Sequence, residues 1–188
     1  MDEQAVERVY AAVDISNLWH SCRDIFGPTA RVNYDHLLKK IKSSGYKSVP
    51  REVTAVAYAV TAPHRRVSEA SGRIREEPSR NTRFLESLKK FGYEVKVRIM
   101  RYEKGIDKPF HTDWDVGIAV DAITTQNEYD TFILVSGDGD YIPLIQRLQK
   151  TSKRVEVYTF ERTASQTLYS VADNVVFLTL EDTYQEKV

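Results

Sequence analysis

The sequence predicts an α/β fold: a three-layer α/β/α sandwich around a mainly parallel sheet of five to six strands. Two observations carry this reading. Short, almost wholly apolar runs recur along the chain, as strands buried on both faces require. Between them lie segments with apolar residues three and four apart, the spacing of helices that cover a sheet. No repeat, low-complexity tract or shift of composition divides residues 1–188, so a single domain is expected.

The first run, residues 9–15, reads Val-Tyr-Ala-Ala-Val-Asp-Ile and is expected as a strand followed by a polar loop through Gly27 and Pro28. Tyr34, Leu37, Leu38 and Ile41 then recur at helical spacing, with Asn33 as N-cap and Gly45 as the stop. Residues 53–60 form the second strand. Residues 61–80, with Pro63, Gly72, Pro78 and many arginines, read as a long loop or partly ordered insertion. A helix over 81–91 repeats Phe84, Leu85, Leu88 and Phe91 and closes at Gly92. A third strand over 93–100 alternates Val95, Val97 and Ile99. Polar residues 101–111 form a loop, and 112–125 a helix. Strand 131–135, a tight turn at 136–140, helix 141–150 with Pro143 in its first turn, strand 155–160, a short helix over 163–171 and an edge strand over 175–180 complete the order.

Composition narrows the function classes. Lys plus Arg number 27 and Asp plus Glu number 27, so any nucleic-acid surface must arise from local segregation of charge. The single cysteine, Cys22, excludes an internal disulfide and a cysteine-based zinc site. No apolar run approaches the roughly 20 residues of a membrane span. The first eight residues are too charged for a signal peptide, so the cytoplasm is the expected compartment.

In parallel sheets, ligands bind beyond the carboxyl ends of the strands. Three acidic groups follow strand ends here. Asp14 ends the first strand, with Asn17 three residues on. Ser136-Gly137-Asp138-Gly139-Asp140 follows the fourth. The loop after the third leads to Asp113-Trp114-Asp115 at a helix start. Ile118, Ala119 and Ala122 share the helical face of Asp115, which aims that carboxylate from the top of a core-facing stripe. A capping box with Thr112 competes for Asp115, and capping of the helix from residue 141 competes for Asp140. Asp121, off the stripe, is expected at the flank. Gathered carboxylates repel unless a cation lies among them, and Mg²⁺ or Mn²⁺ prefers oxygen ligands. His20, His36, His64 and His111 show no ligand spacing.

These segments are familiar in combination. Val-Asp-Ile-Ser-Asn-Leu, Asp-Val-Gly-Ile-Ala-Val-Asp-Ala and Tyr-Asp-Thr-Phe-Ile-Leu-Val-Ser-Gly-Asp-Gly-Asp-Tyr-Ile-Pro-Leu, in that order, resemble the NYN domain, most nearly its LabA-like branch, related to PIN and FLAP nucleases. The resemblance spans about residues 9–180. It implies a PIN-like fold and Mg²⁺- or Mn²⁺-dependent cleavage of RNA. The metal-binding acids it implies are Asp14, Asp115 and Asp138, with Asp140 beside them and Asn17 and Ser136 as polar supports. The chain departs from the pattern at Asp113-Trp114, where the family often has Lys-Gly, and at Ile15, where it often has Gly.

Arg65, Arg66, Arg73 and Arg75 lie in the arginine-rich loop, which is the candidate clamp for an RNA backbone. Lys96, Arg98, Arg101, Lys104 and Lys108 form a second basic stretch, and Trp114 and Tyr141 are candidates for stacking on unpaired bases. The expected partners are RNA and, as a possibility, a second copy of the chain in a homodimer. A catalytically weak RNA-binding module on the same fold is the competing reading. A haloacid-dehalogenase-like phosphatase needs a second acid two residues after Asp14, where Ser16 stands. A dinucleotide site needs a third glycine where Ile142 stands.

Overall fold

The computed structural model of the chain describes residues 6–43, 45, 49–61, 66–68, 74–76, 80–99 and 113–186. β1 (Glu7–Asp14) runs straight into α1 (Ile15–Phe26), where a polar loop was expected. Asp14 caps this helix by accepting the Asn17 N–H at 3.1 Å, and the Gly27 N–H closes it on the Arg23 carbonyl at 2.9 Å. Its inward stripe is Ile15, Leu18 and Cys22. The polar or exposed residues Ser16, Asn17, Trp19, His20, Arg23 and Asp24 outnumber that stripe, which is why the segment reads as a loop.

β2 (Ala30–Val32) and α2 (Tyr34–Ser43) follow, and Asn33 accepts the His36 N–H at 3.1 Å, as its N-cap role requires. β3 (Arg51–Thr61) leads to β4 (Arg66–Ser68) and β5 (Ile74–Glu76), which pair antiparallel, so the expected loop contains a short hairpin. Then come α3 (Arg80–Phe91), β6 (Glu94–Ile99), α4 (Asp115–Thr124), β7 (Thr131–Val135), α5 (Ile142–Lys150), β8 (Arg154–Thr159), α6 (Gln166–Val171), β9 (Asn174–Phe177) and β10 (Thr183–Gln185). β10 pairs antiparallel with β2.

The main sheet has six strands in the order β6-β3-β1-β7-β8-β9, and every neighbouring pair is parallel. Counting only its strands along the chain, the order is 3-2-1-4-5-6. The order in which strands are added therefore reverses between β1 and β7, the switch point where such sheets open a crevice. Side chains alternate across the sheet. Val9, Ala11 and Val13 face a core with α1, α2 and α3; Tyr10 and Ala12 face one with α4, α5 and α6. Three layers result. β6 lies at an edge, so Val97 and Ile99 remain 43% and 56% exposed although they alternate as a core face would. Its other face brings Lys96 and Arg98 against α4 and the residues just before it.

The amino ends of the strands hold a buried ionic group. The Arg51 side chain is fully buried, with Nε 2.8 Å from Glu7, Nη2 2.8 Å from Glu156 and Nη1 donating to the Ile41 carbonyl. Arg154 adds a second contact to Glu156 at 3.1 Å. Removing one partner of such a group strands the others without compensation. Arg51→Ala is expected to lower unfolding free energy by about 3–5 kcal/mol in urea denaturation. A loss below about 1 kcal/mol would show that the group does not clamp these strands.

Candidate metal centre

β1 and β7 are neighbours in register, Val13 opposite Val135. Asp14 and the 136–140 turn consequently emerge side by side at the switch point. Asp14 is the last residue of β1 and only 8% exposed. One of its oxygens caps α1; the other accepts a hydrogen bond from the Tyr141 hydroxyl at 3.4 Å. The same hydroxyl donates to Asp115 at 2.9 Å. One phenol thus joins the acid of β1 to the acid that opens α4.

Tyr141 is itself 2% exposed, which overturns its expected role as a stacking platform for bases. Its ring belongs to the core and its hydroxyl to the acids. Burial, then Asp14 and Asp115, hold that hydroxyl well above the usual phenol range, so it remains protonated and a donor. Trp114 also departs from the stacking role. Its indole N–H donates to the Ala59 carbonyl at 2.9 Å, Tyr58 meets its ring at 5.3 Å and the Arg98 guanidinium lies 4.1 Å from its centre. Trp114 is the residue preceding α4 and offers no side-chain cap, and Asp115 is the first helical residue. The capping-box geometry, which needs Asp115 in third place, is therefore not formed.

The 136–140 turn is fixed from three sides. The Asn17 side chain accepts the Gly137 N–H at 2.9 Å, buried Ser136 accepts the Asp138 N–H at 3.2 Å, and Ser165 donates its N–H to the Gly137 carbonyl at 2.9 Å. A Cβ on Gly137 would lie 2.8 Å from Thr159 Oγ1 and 3.0 Å from Ala164 Cα, and one on Gly139 2.9 Å from Ser165 Oγ. The glycines let the turn close onto the segment after β8. Asp138 accepts the Asp140 N–H at 3.0 Å and caps a single 3₁₀ turn, Gly139–Tyr141; Asp140 lies within that turn rather than capping α5.

The result is a cluster: oxygens of Asp115, Asp138 and Asp140 lie within 4.8 Å of one another. This trio contains Asp140 and not Asp14, so it differs by one member from the expected metal ligands. Asp14 is the deepest acid and is tied to the trio through Tyr141. Burial pushes the Asp14 carboxyl up to about 6; Asp115 and Asp138 push the same way, while the Asn17 N–H and Tyr141 hydroxyl oppose them. Asp115 is raised as well, by burial first and by Asp113, Asp138 and Asp140, against the Tyr141 hydrogen bond. None of these dominant influences is a cation. An oxygen-only donor set whose charge no cation among the described residues offsets suits Mg²⁺ or Mn²⁺.

Asp121, expected at the flank, accepts from Tyr58 at 2.7 Å and from Lys96 at 2.8 Å, and Tyr58 is 2.7 Å from the Tyr10 hydroxyl. This network seats α4 on the sheet; three polar side chains on three strands gave no local signal of it. Lys96 and Arg98 are engaged there and at the Asp113 carbonyl. Arg65, Arg73, Arg101, Lys104, Lys108, His64, His111 and Thr112 lie outside the described residues, and Arg66 and Arg75 are placed by backbone alone.

The NYN domain model matches residues 8–180. The chain belongs to the NYN domain family. Its likeness to the Low amplitude and bright protein LabA of Synechococcus elongatus is 24% identity over 107 residues, 55% of this chain and 58% of that protein, so the match spans less than two thirds of the relative. A crystal structure of a protein of unknown function from Vibrio parahaemolyticus is similar over 97% of this chain and 98% of that one, with a TM-score of 0.73 and 30% identity. Among the described residues of this NYN domain, no helix is long and apolar enough to cross a membrane.

The raised carboxyl of Asp14 has a signed consequence. A native pKa near 6 against 3.8 means that the folded state holds this proton more tightly than the unfolded chain. The associated stability is complete below 3.8 and is lost as pH rises through about 6. In metal-free protein, the stability difference between wild type and Asp14→Asn should therefore shift by up to about 3 kcal/mol against wild type from pH 4 to pH 7.5. Parallel melting curves of the two across that range would contradict this.

Proposed function

We propose that this NYN-domain protein is a ribonuclease that hydrolyses RNA phosphodiester bonds at a divalent-cation centre, with Mg²⁺ or Mn²⁺ as cofactor. The observation that supports this most is the approach of three carboxylates from two loops to within 4.8 Å, beside a fourth whose acidity is already weakened. Asp115, Asp138 and Asp140 would hold the ion. When bound, the ion supplies charge neutralisation and Lewis acidity for attack on phosphorus and departure of the leaving oxygen.

The chain's own residues do the rest. Tyr141 orients Asp115 and Asp14 together and, being buried, shuts water out from behind them. Asn17 and Ser136 hold the turn that presents Asp138 and Asp140. Asp14 keeps the Asn17 N–H in place and adds the deepest negative charge. β3 points its carboxyl end to the same edge as β1, since the two are parallel, and the β4–β5 hairpin follows it. The arginines at 65, 66, 73 and 75 belong to that segment and are proposed to meet phosphates.

The test is cleavage of single-stranded and hairpin RNAs with Mg²⁺ or Mn²⁺. Asparagine can still cap the 3₁₀ turn, so Asp138→Asn should fold. It should cut slower by about 100-fold or more, and chelation should stop the wild-type reaction. Undiminished cutting by the variant, or cutting under EDTA, contradicts the reading. RNA bound but left intact by the wild type favours the competing one, an RNA-binding module that keeps the fold.

A further inference from the structure

The outward side of α1 carries a surface that the metal centre does not use. Trp19 is 38% exposed, among the large apolar side chains left open to water. One turn on, Arg23 sets its guanidinium 4.3 Å from the centre of the Trp19 ring, and His20 meets that ring edge-on at 4.7 Å. With Asp24 and Pro28 these residues line an open cleft of about 370 Å³. Unlike the indole of Trp114, that of Trp19 makes no hydrogen bond among the described residues, and no ion pair there engages Arg23.

An exposed indole with a planar cation on its ring is a pairing that stacks on unpaired bases and meets the adjoining phosphate. The cleft lies on the helix that leaves the acidic edge. α1 begins directly after Asp14, and at 1.5 Å per residue Trp19 lies roughly 7 Å and Arg23 roughly 13 Å along the axis from that acid. A strand of a few nucleotides spans such a distance. Asp24 adds a carboxylate to the lining. A carboxylate only accepts, so it suits a base edge presenting adjacent donors. Guanine, with N1–H beside its amino group, presents two such donors.

We propose that the α1 cleft of Trp19, His20, Arg23 and Asp24 binds an unpaired base of single-stranded RNA and favours guanine. The proposal rests on the RNA reading above and names a surface, on the helix that follows Asp14, where the strand is held. It requires binding that does not depend on the metal, since none of the cleft residues belongs to the acidic cluster.

The experiment is fluorescence anisotropy with labelled hexamers, oligouridine with and without a central guanosine, in EDTA so that none is cut. Trp19→Ala should weaken binding about 10- to 100-fold. Trp19→Phe, which keeps an aromatic face, should restore most of it. Asp24→Asn should remove the preference for the guanosine hexamer. Trp19 is at the surface, so unchanged melting temperatures should accompany these effects. Equal affinities for wild type and Trp19→Ala overturn the cleft, and if the wild type still cuts RNA the nuclease reading stands without it. A wild type that neither binds RNA nor cuts it overturns both.

Discussion

Four aspartates at one end of a parallel sheet repel one another, and much of this chain's architecture holds them together against that repulsion. Like charges in a partly buried site raise each other's pKa values or call for a cation. The gathering here runs from Asp14, nearly buried, through Asp115 and Asp138 to exposed Asp140. The buried Tyr141 hydroxyl offsets part of the repulsion with its one proton, donated to Asp115 at 2.9 Å with Asp14 3.4 Å away. What remains is negative charge graded toward solvent, which is the electrostatic environment that attracts a hard divalent ion.

The scaffold supplies the rest of the restraint. Parallel strands carry the carboxyl ends of β1 and β7 to the same edge, and reversal of winding between them leaves that edge uncovered. Helix α1 then ties the two sides, because Asn17 in its first turn accepts the Gly137 N–H. At the opposite edge, Arg51 between Glu7 and Glu156 joins β3, β1 and β8 where their chains begin. The sheet is thus fastened by compensated charge at one end and, among the described residues, carries uncompensated charge at the other. Asp121, paired with Lys96 under α4, belongs to the compensated kind.

The main sheet was legible in the sequence because its strands are apolar on both faces, and this pattern has few other meanings. Strand 131–135 lies where the run Thr-Phe-Ile-Leu-Val sets it. Asp14, Asp115 and Asp138 were expected together, since each follows a strand end or opens a helix; the trio that lies closest has Asp140 in place of Asp14. What stayed hidden was information carried between distant segments. α1 was masked because six polar or exposed side chains surround a narrow stripe of Ile15, Leu18 and Cys22. Tyr141 reads as a surface aromatic beside Asp140; its true neighbours, Asp14 and Asp115, are 127 and 26 residues away. Trp114 was likewise taken toward solvent, although a carbonyl of β3 holds its indole. The likeness to NYN relatives places the chain in a family, and the details of the site come from these contacts.

The central claim, that the acids form a cation site, is tested most directly without any RNA. Mn²⁺ titrated into the purified protein and followed by electron paramagnetic resonance should show saturable binding that Asp115→Asn abolishes. Asp130→Asn, which alters only a surface pair with Arg8, should leave it intact. Absence of saturable binding by the wild type, or equal binding by Asp115→Asn, would contradict the account.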